Sequence, residues 1–330
     1  MPHEWLALLL PTACLISMAS RLLLLFAPAN RQYASVLAVL SAKLLPSSGV
    51  ADQAVGIANQ CLQIIELVFQ DSLDEAEQLG FTLIGGQALS IWANFYLLDS
   101  MTGKEALMAT SDDIDFCARD KGSINFLETR LKQTFRRPTM DDVTPHLAVA
   151  EVERNGHLIT VDLLDGVAGV KASMLARSFL AISVLQPEIE VWVIDPVCCL
   201  YSRLHNLYAG FTADLDREKI RVDLAVRACK LYLCQAYEDD GFPAIRYSLK
   251  KIKSLARSQL GVRAYLDYGI DILRALPEPY RVGADTEYGK TFLQKTCLEV
   301  ESKRSKQKNH RILRGIRYHD PENERAKDTR

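Results

Sequence analysis

The spacing of apolar residues divides the chain into a part where helices and strands alternate and a later part that is almost wholly helical. Apolar side chains recur at helical spacing from Asp52 to Leu79 and from Gln87 to Leu98, which predicts two helices. The same spacing returns from Val197 onward and predicts helices near residues 197–208, 215–237, 243–258 and 261–275. Short apolar runs predict strands over Phe81–Ile84, Ile114–Ala118, His146–Glu153, His157–Leu164 and Glu190–Ile194.

Glycine, asparagine and proline mark where several of these elements end. Gly80 is placed to end the first helix, and Asn155-Gly156 between two apolar runs predicts a β-hairpin. Asp195-Pro196 is placed to cap the helix that follows the last strand. We expect residues 99–111 to form a polar loop and residues 123–133 to form a helix.

These elements predict an α/β fold in which a mixed sheet is flanked by helices, plus a C-terminal helical domain. We expect an apolar N-terminal extension over residues 1–50, the α/β domain over 51–196, the helical domain over 197–300, and a basic, flexible tail over 301–330. A chain of 330 residues with 48% hydrophobic residues can bury the cores of two such domains.

The apolar run over residues 5–27 could be taken for a signal peptide or a membrane span. The first residues lack the positive charge of a signal peptide, and Pro11 interrupts the run. Arg21 would lie within any span, at a cost of about 2.5–3.5 kcal/mol on insertion scales. We therefore expect no stable membrane insertion, and predict either a helix packed on the protein or a leader made by an upstream start codon.

Charge and cysteine content exclude several classes of protein. The 39 basic and 41 acidic residues nearly balance, so bulk charge gives no argument for a polyanion as partner. None of the eight cysteines forms a C-x-x-C pair, which argues against a zinc site or a disulfide framework and predicts a cytoplasmic location. No H-x-x-x-H pair and no Lys-Ser/Thr of a P-loop is present.

The candidate chemistry lies in acidic strands. Residues i and i+2 of a strand share one face, so Asp113 and Asp115 would lie side by side while Ile114 and Phe116 face the core. Two adjacent carboxylates are suited to Mg²⁺ and phosphoryl transfer. Asp162 lies in a later apolar strand with the same alternation. The alternative for each is a solvated acidic face.

A glycine pair precedes these strands and completes a pattern. Gly85-Gly86 between a strand and a helix permits close approach of a phosphate to the backbone, although such turns also use glycine for steric reasons alone. Gly-Gly with a helix, then Asp-x-Asp with apolar flanks, then a separate Asp resembles the DNA polymerase beta-like nucleotidyltransferase superfamily. Over residues 80–225 the chain is most similar to the minimal bacterial branch, which includes AbiEii-type abortive-infection toxins.

The resemblance implies a site and a reaction. Asp113, Asp115 and Asp162 would be catalytic and would bind two Mg²⁺ ions, and Arg203 would contact the triphosphate of an NTP. The resemblance also implies that Gly85, Gly86 and Gln87 complete the nucleotide site. An NMP would pass from the NTP to a hydroxyl of RNA, protein or a small molecule, with release of pyrophosphate.

The chain departs from the pattern at three positions. Gln87 replaces a small hydroxyl residue, Arg203 replaces a lysine, and Ile220 replaces an acid of a later Arg/Lys-Asp-x-x-Asp-Leu segment. For Arg203 the alternative is a surface ion pair.

Two other functions stay open at this point. One is a catalytically silent member that acts as a binding or toxin–antitoxin interaction module with an antitoxin-like protein partner. The other is an antibiotic-type small-molecule nucleotidyltransferase, for which the acidic residues 238–240 offer a pocket for a cationic acceptor. Basic residues of the tail, over 303–308 and 311–317, could contact RNA phosphates.

Overall fold

The computed structural model describes residues 49–118, 120, 122–139, 146–183, 189–210, 214–278 and 287–319. The strands are β1 (Thr82–Leu83), β2 (Asp113–Cys117), β3 (His146–Arg154), β4 (His157–Leu164), β5 (Phe179–Ser183) and β6 (Glu190–Ile194). The helices of the first part are α1 (Gly49–Phe69), α2 (Leu73–Leu79), α3 (Gly85–Leu97), α4 (Gly103–Ala109), α5 (Gly122–Leu131) and α6 (Ala172–Leu175). The later helices are α7 (Pro196–Ala209), α8 (Leu215–Asp240), α9 (Phe242–Arg257), α10 (Gln259–Tyr268), a 3₁₀ turn (Ile272–Ala275) and α11 (Glu287–Leu313).

The strands form one mixed sheet in the order β3-β4-β2-β1-β6-β5. Strands β2 and β4 are parallel, as are β1 and β6, and the remaining neighbours are antiparallel. Helices α1 and α5 pack on one side of the sheet, and α3, α7 and α8 pack together on the other. The predicted α/β fold with a mixed sheet flanked by helices is confirmed.

Alternation within β2 sends its apolar residues into the core beneath α1 and α5. Ile114 and Phe116 are fully buried. Phe116 stacks on Phe81 with ring centroids 4.6 Å apart, and Phe69 of α1 and Phe126 of α5 complete the aromatic cluster. Burying side chains of this size contributes about 1.5–3 kcal/mol each. The acidic residues of the same strand must therefore lie on the opposite face.

Several boundaries differ from the sequence predictions. The predicted helix over Asp52–Leu79 is two helices, because the chain turns at Asp71, whose φ is 55°, and the Ser72 hydroxyl donates to a carbonyl of the preceding turn. The predicted loop over 99–111 contains α4. Thr102 and Glu105 cap that helix reciprocally. Strand β5 and the short α6 were not predicted.

The C-terminal region is more ordered than its composition indicates. The expectation of a flexible tail from residue 301 is wrong as far as Leu313, because α11 extends to that residue. Arg304 is 2% exposed, pairs with Asp271 and Glu301, and lies 3.9 Å from the ring centroid of Tyr265. These contacts hold α11 against the 3₁₀ turn and α10, and they remove Arg304 from the basic residues that could contact RNA.

No helix in the part of the chain that the structure describes is long and apolar enough to cross a membrane. The predicted N-terminal extension lies almost wholly outside the described residues.

Candidate functional site

The three carboxylates predicted from sequence lie on one face of the sheet. In the parallel pair of β2 and β4, Asp115 is directly opposite Asp162, and Asp113 is opposite Thr160. Residues in register on neighbouring strands project to the same side, about 4.8 Å apart. The face is the one away from Ile114, so the three aspartates line the side on which α3 begins.

The glycine pair forms the first residues of α3 and not the predicted turn before it. Gly85 has φ of 65°, and a Cβ there would overlap the carboxylate of Asp115. A Cβ on Gly86 would overlap the Ser111 hydroxyl, and the Gly86 backbone N–H bonds the Asp115 carboxylate. The glycines therefore let the positive end of a helix come against an acidic strand.

Burial and mutual repulsion perturb the acids. Burial, followed by repulsion from Asp113, raises the pKa of Asp115 to about 7; nearby Arg203 opposes this rise and Asp162 adds to it. Burial also raises the pKa of Asp162, which His146 opposes and Asp113 reinforces. Because burial disfavours the ionised form of both acids, with repulsion from Asp113 added, positive charge placed here would stabilise the ionised carboxylates.

Neighbouring side chains hold two of the carboxylates. The Ser111 hydroxyl donates to Asp113. His146 lies at the start of β3, with its Nε2 3.5 Å from Oδ1 of Asp162. The histidine was not singled out from sequence, because only the register of the hairpin brings it beside an acid.

The side chain of Gln87 lies against the backbone that leads into β2. Its side chain is 3% exposed, and Nε2 donates to the carbonyl oxygens of Ser111 at 2.8 Å and Asp113 at 3.3 Å. In this arrangement it holds the backbone that leads into β2 rather than facing a ligand.

Arg203 lies beneath the carboxylates on α7. It is 5% exposed, so the alternative of a surface ion pair is wrong. Its charge lowers the pKa of Asp115, and Nη1 lies 3.9 Å from Oε2 of Glu218. Within the described residues Arg203 Nε has no hydrogen-bond partner. The guanidinium is therefore a buried counter-charge at the base of the site.

The sequence predictions missed a buried pair on α8. Arg221 Nε donates to Met108 O at 2.9 Å, Nη2 donates to Thr110 O at 2.6 Å, and Nη1 lies 3.1 Å from Glu218 Oε1. Both residues are buried. Their spacing of three residues on a helix was visible, but charged residues so spaced are ordinarily solvated.

Other residues that the sequence patterns indicated lie away from the three carboxylates. Asp223, the second acid of the segment in which Ile220 replaces the first, pairs with Arg274 and Arg227, away from the carboxylates. Residues 238–240 are exposed at the far end of α8, about 25 Å along the helix axis from Arg221. They cannot form an acceptor pocket at this site.

The donor set suits Mg²⁺, because hard cations prefer carboxylate oxygens. In the described part of the chain, no group of three or more His, Cys, Asp or Glu side chains already converges closely enough to hold an ion. Asp115 and Asp162 are register partners, so their side chains leave adjacent strands on the same face. The raised pKa values of these acids are the observation that fits a cation here.

Comparison with solved structures finds a distant likeness. The chain is similar to the crystal structure of an antigenic nucleotidyltransferase-like protein from Paracoccidioides brasiliensis, with a TM-score of 0.32 and 11% identity, over 57% of this chain and 93% of that chain. No family model matches the chain, and no curated protein matches it. The functional conclusion therefore depends on the residues of the site itself.

Proposed function

We propose that the protein is a metal-dependent nucleotidyltransferase that moves an NMP from an NTP to a hydroxyl acceptor and releases pyrophosphate. The observation that carries the proposal is the placement of Asp113, Asp115 and Asp162 on one face, beside the N-terminus of α3. Carboxylates gathered in this way are the usual protein contribution to two-metal phosphoryl transfer. The motifs over residues 80–225 support placement in the minimal bacterial branch that includes AbiEii-type toxins.

Asp113, Asp115 and Asp162 would hold the metal ions, which when bound neutralise the charge of the triphosphate and orient it. Asp162 is the candidate to accept the proton of the acceptor hydroxyl, because its pKa is raised and, unlike Asp115, it has no described bond to the Gly86 N–H of α3. His146 would orient that carboxylate through its contact with Oδ1. Arg203 would favour the anionic form of Asp115, because its charge opposes the effect of burial on the pKa of that carboxyl.

The direct test replaces Asp113 by asparagine, which keeps the size of the side chain and its contact with Ser111 but removes the charge. Mg²⁺-dependent release of pyrophosphate from NTPs should fall about 100-fold or more, equivalent to about 3 kcal/mol of transition-state stabilisation. Asp112→Asn is the matched control, because its side chain is 70% exposed and pairs only with Arg217 among the contacts described. Equal turnover in the two variants would rule out the proposed reaction.

One observation favours the silent binding module as a second candidate. Asp162 already has His146 as a partner and Asp115 already has Arg203 and the Gly86 N–H, so the acids are partly satisfied without metal. Calorimetric titration with Mg-NTP separates the two. The enzyme should bind nucleotide in a way that Asp113→Asn weakens, whereas the silent module should bind it feebly with or without the substitution.

A further inference from the structure

The buried pair Glu218–Arg221 joins the helical part of the chain to the backbone that leads into β2. Helix α4 ends at Ala109, and the carbonyl groups of a last helical turn have no partner within the helix. Arg221 donates to two carbonyl oxygens in this segment, those of Met108 and Thr110. The segment is therefore held by a side chain that belongs to α8.

Two further donors complete this support. Arg217 Nη2 donates to Thr110 O at 2.8 Å, and Gln87 donates to Ser111 O. The hydroxyl of Ser111 in turn donates to Asp113. Hydrogen bonds from α8 thus hold the backbone of residues 108–110, and the next residue, Ser111, bonds the first carboxylate of the site.

Glu218 extends the same connection to the second carboxylate. One of its oxygens pairs with Arg221, and the other faces Arg203, which lies near Asp115. A buried ion pair adds little net stability compared with apolar packing of the same volume. The planar guanidinium differs from apolar packing in one respect: its rigidly placed donors fix the positions of the groups that accept their hydrogen bonds.

We propose that Arg221 is a positioning residue for the metal-binding carboxylates, acting through residues 108–111 on Asp113 and through Glu218 and Arg203 on Asp115. This rests on the proposed function, because it assigns Arg221 a part in the same site. Loss of the fork should let the Asp113 carboxylate reorient while β2 stays in the sheet, and metal affinity should fall. Partners that orient metal ligands are typically worth about 10- to 100-fold in affinity.

The experiment measures Mn²⁺ binding by electron paramagnetic resonance, together with kcat and KM for NTP turnover, in the full-length protein. Arg221→Gln should bind Mn²⁺ about tenfold more weakly and should lose kcat with little change in KM for NTP. Arg221→Lys keeps the charge but not the fork, and should recover only part of the affinity. The kcat–KM split is the readout that a merely structural role would not produce.

Arg227→Gln is the matched control, because Arg227 also anchors α4 from α8. It pairs with Glu105 at the other end of that helix and contacts no carbonyl of residues 108–111. A role limited to docking α4 predicts equal effects of the two substitutions on Mn²⁺ affinity, and that result would overturn the inference. The positioning role predicts that Arg227→Gln lowers stability alone.

Removal of Arg221 alone leaves Glu218 as a buried carboxylate, so Arg221→Gln could fail to fold. The double variant Glu218→Gln/Arg221→Gln removes both charges, and it should fold and still bind Mn²⁺ weakly. Wild-type protein that binds Mn²⁺ no better than these variants would overturn the inference and leave the proposed reaction standing. Wild-type protein that neither binds Mn²⁺ nor turns over NTP would overturn both.

Discussion

Removal of the charge on Asp115 should stabilise the metal-free protein, and the gain should depend on pH. Burial raises the pKa of this carboxyl from an ordinary 3.8 to about 7. A group whose pKa is higher in the folded state favours folding when protonated, so the stability of the wild-type protein falls as pH rises from about 4 through 7. At pH 8, where the folded protein holds the carboxyl ionised, the shift in pKa costs at most about 4 kcal/mol; at pH 5, where folding makes the carboxyl take up a proton, it costs about 1.5 kcal/mol.

Asp115→Asn removes this cost at every pH while its side-chain oxygen can still accept from the Gly86 N–H. The gain in unfolding free energy should be larger at pH 8 than at pH 5 by about 2.5 kcal/mol. Urea denaturation in EDTA, followed by tryptophan fluorescence, measures it, because Trp92 and Trp192 are both buried at β6. The difference between the two pH values cancels any constant contribution of the amide.

Asp112→Asn serves as the control, because an exposed carboxylate should change stability by less than about 0.5 kcal/mol at both pH values. A saturating divalent cation should stabilise the wild-type protein and narrow the advantage of Asp115→Asn, since ligand that binds only the folded state adds to its stability. An equal gain at pH 5 and pH 8, or a loss at pH 8, would refute the electrostatic account of the site.

Three substitutions test the close approach at Gly85 and the docking of α11. Gly85→Ala should destabilise by about 2–4 kcal/mol, combining the cost of a positive φ with displacement of the Asp115 carboxylate. Gly156→Ala is the control and should cost only about 1 kcal/mol, because φ is 80° there and no atom lies within 4 Å of the added Cβ. If the two variants lost similar stability in thermal melts, the close approach of Gly85 to Asp115 would be contradicted. Arg304→Ala should cost about 2 kcal/mol in urea denaturation, because it removes a buried guanidinium that pairs with the partly exposed Asp271 and lies over the ring of Tyr265; a neutral result would mean that α11 is not docked.

Local pattern was sufficient for the elements that the site uses. The alternation around Ile114 separates core from carboxylates within β2, and Asn155-Gly156 specifies the hairpin of β3 and β4. Both are signals within a few residues of the element they describe. The cap formed by Thr102 and Glu105 was equally visible, but the short polar segment around it favoured a loop.

What local pattern could not supply was the pairing of distant strands and the burial of charged residues. No residue of β4 specifies that it lies parallel to β2, yet that pairing alone places Asp162 opposite Asp115. Arg221 is a charged residue that is nevertheless buried, because the carbonyl groups of Met108 and Thr110 accept hydrogen bonds from its guanidinium. Gln87 was assigned to a ligand by resemblance, whereas the fold gives it backbone partners.

Asp115 and Ser111 occupy the space that a Cβ would need at positions 85 and 86. Substitutions at each glycine and at its neighbour should therefore be coupled in evolution. While Asp115 remains, selection against any side chain at position 85 is steric and independent of substrate. Gly86 has no positive φ, and only the Ser111 side chain blocks a Cβ there at short range. In a homologue that has lost the activity, position 86 should therefore accept another residue before position 85 does. A homologue with a larger residue at position 86 and a different residue at position 111 should keep the fold without the catalytic activity.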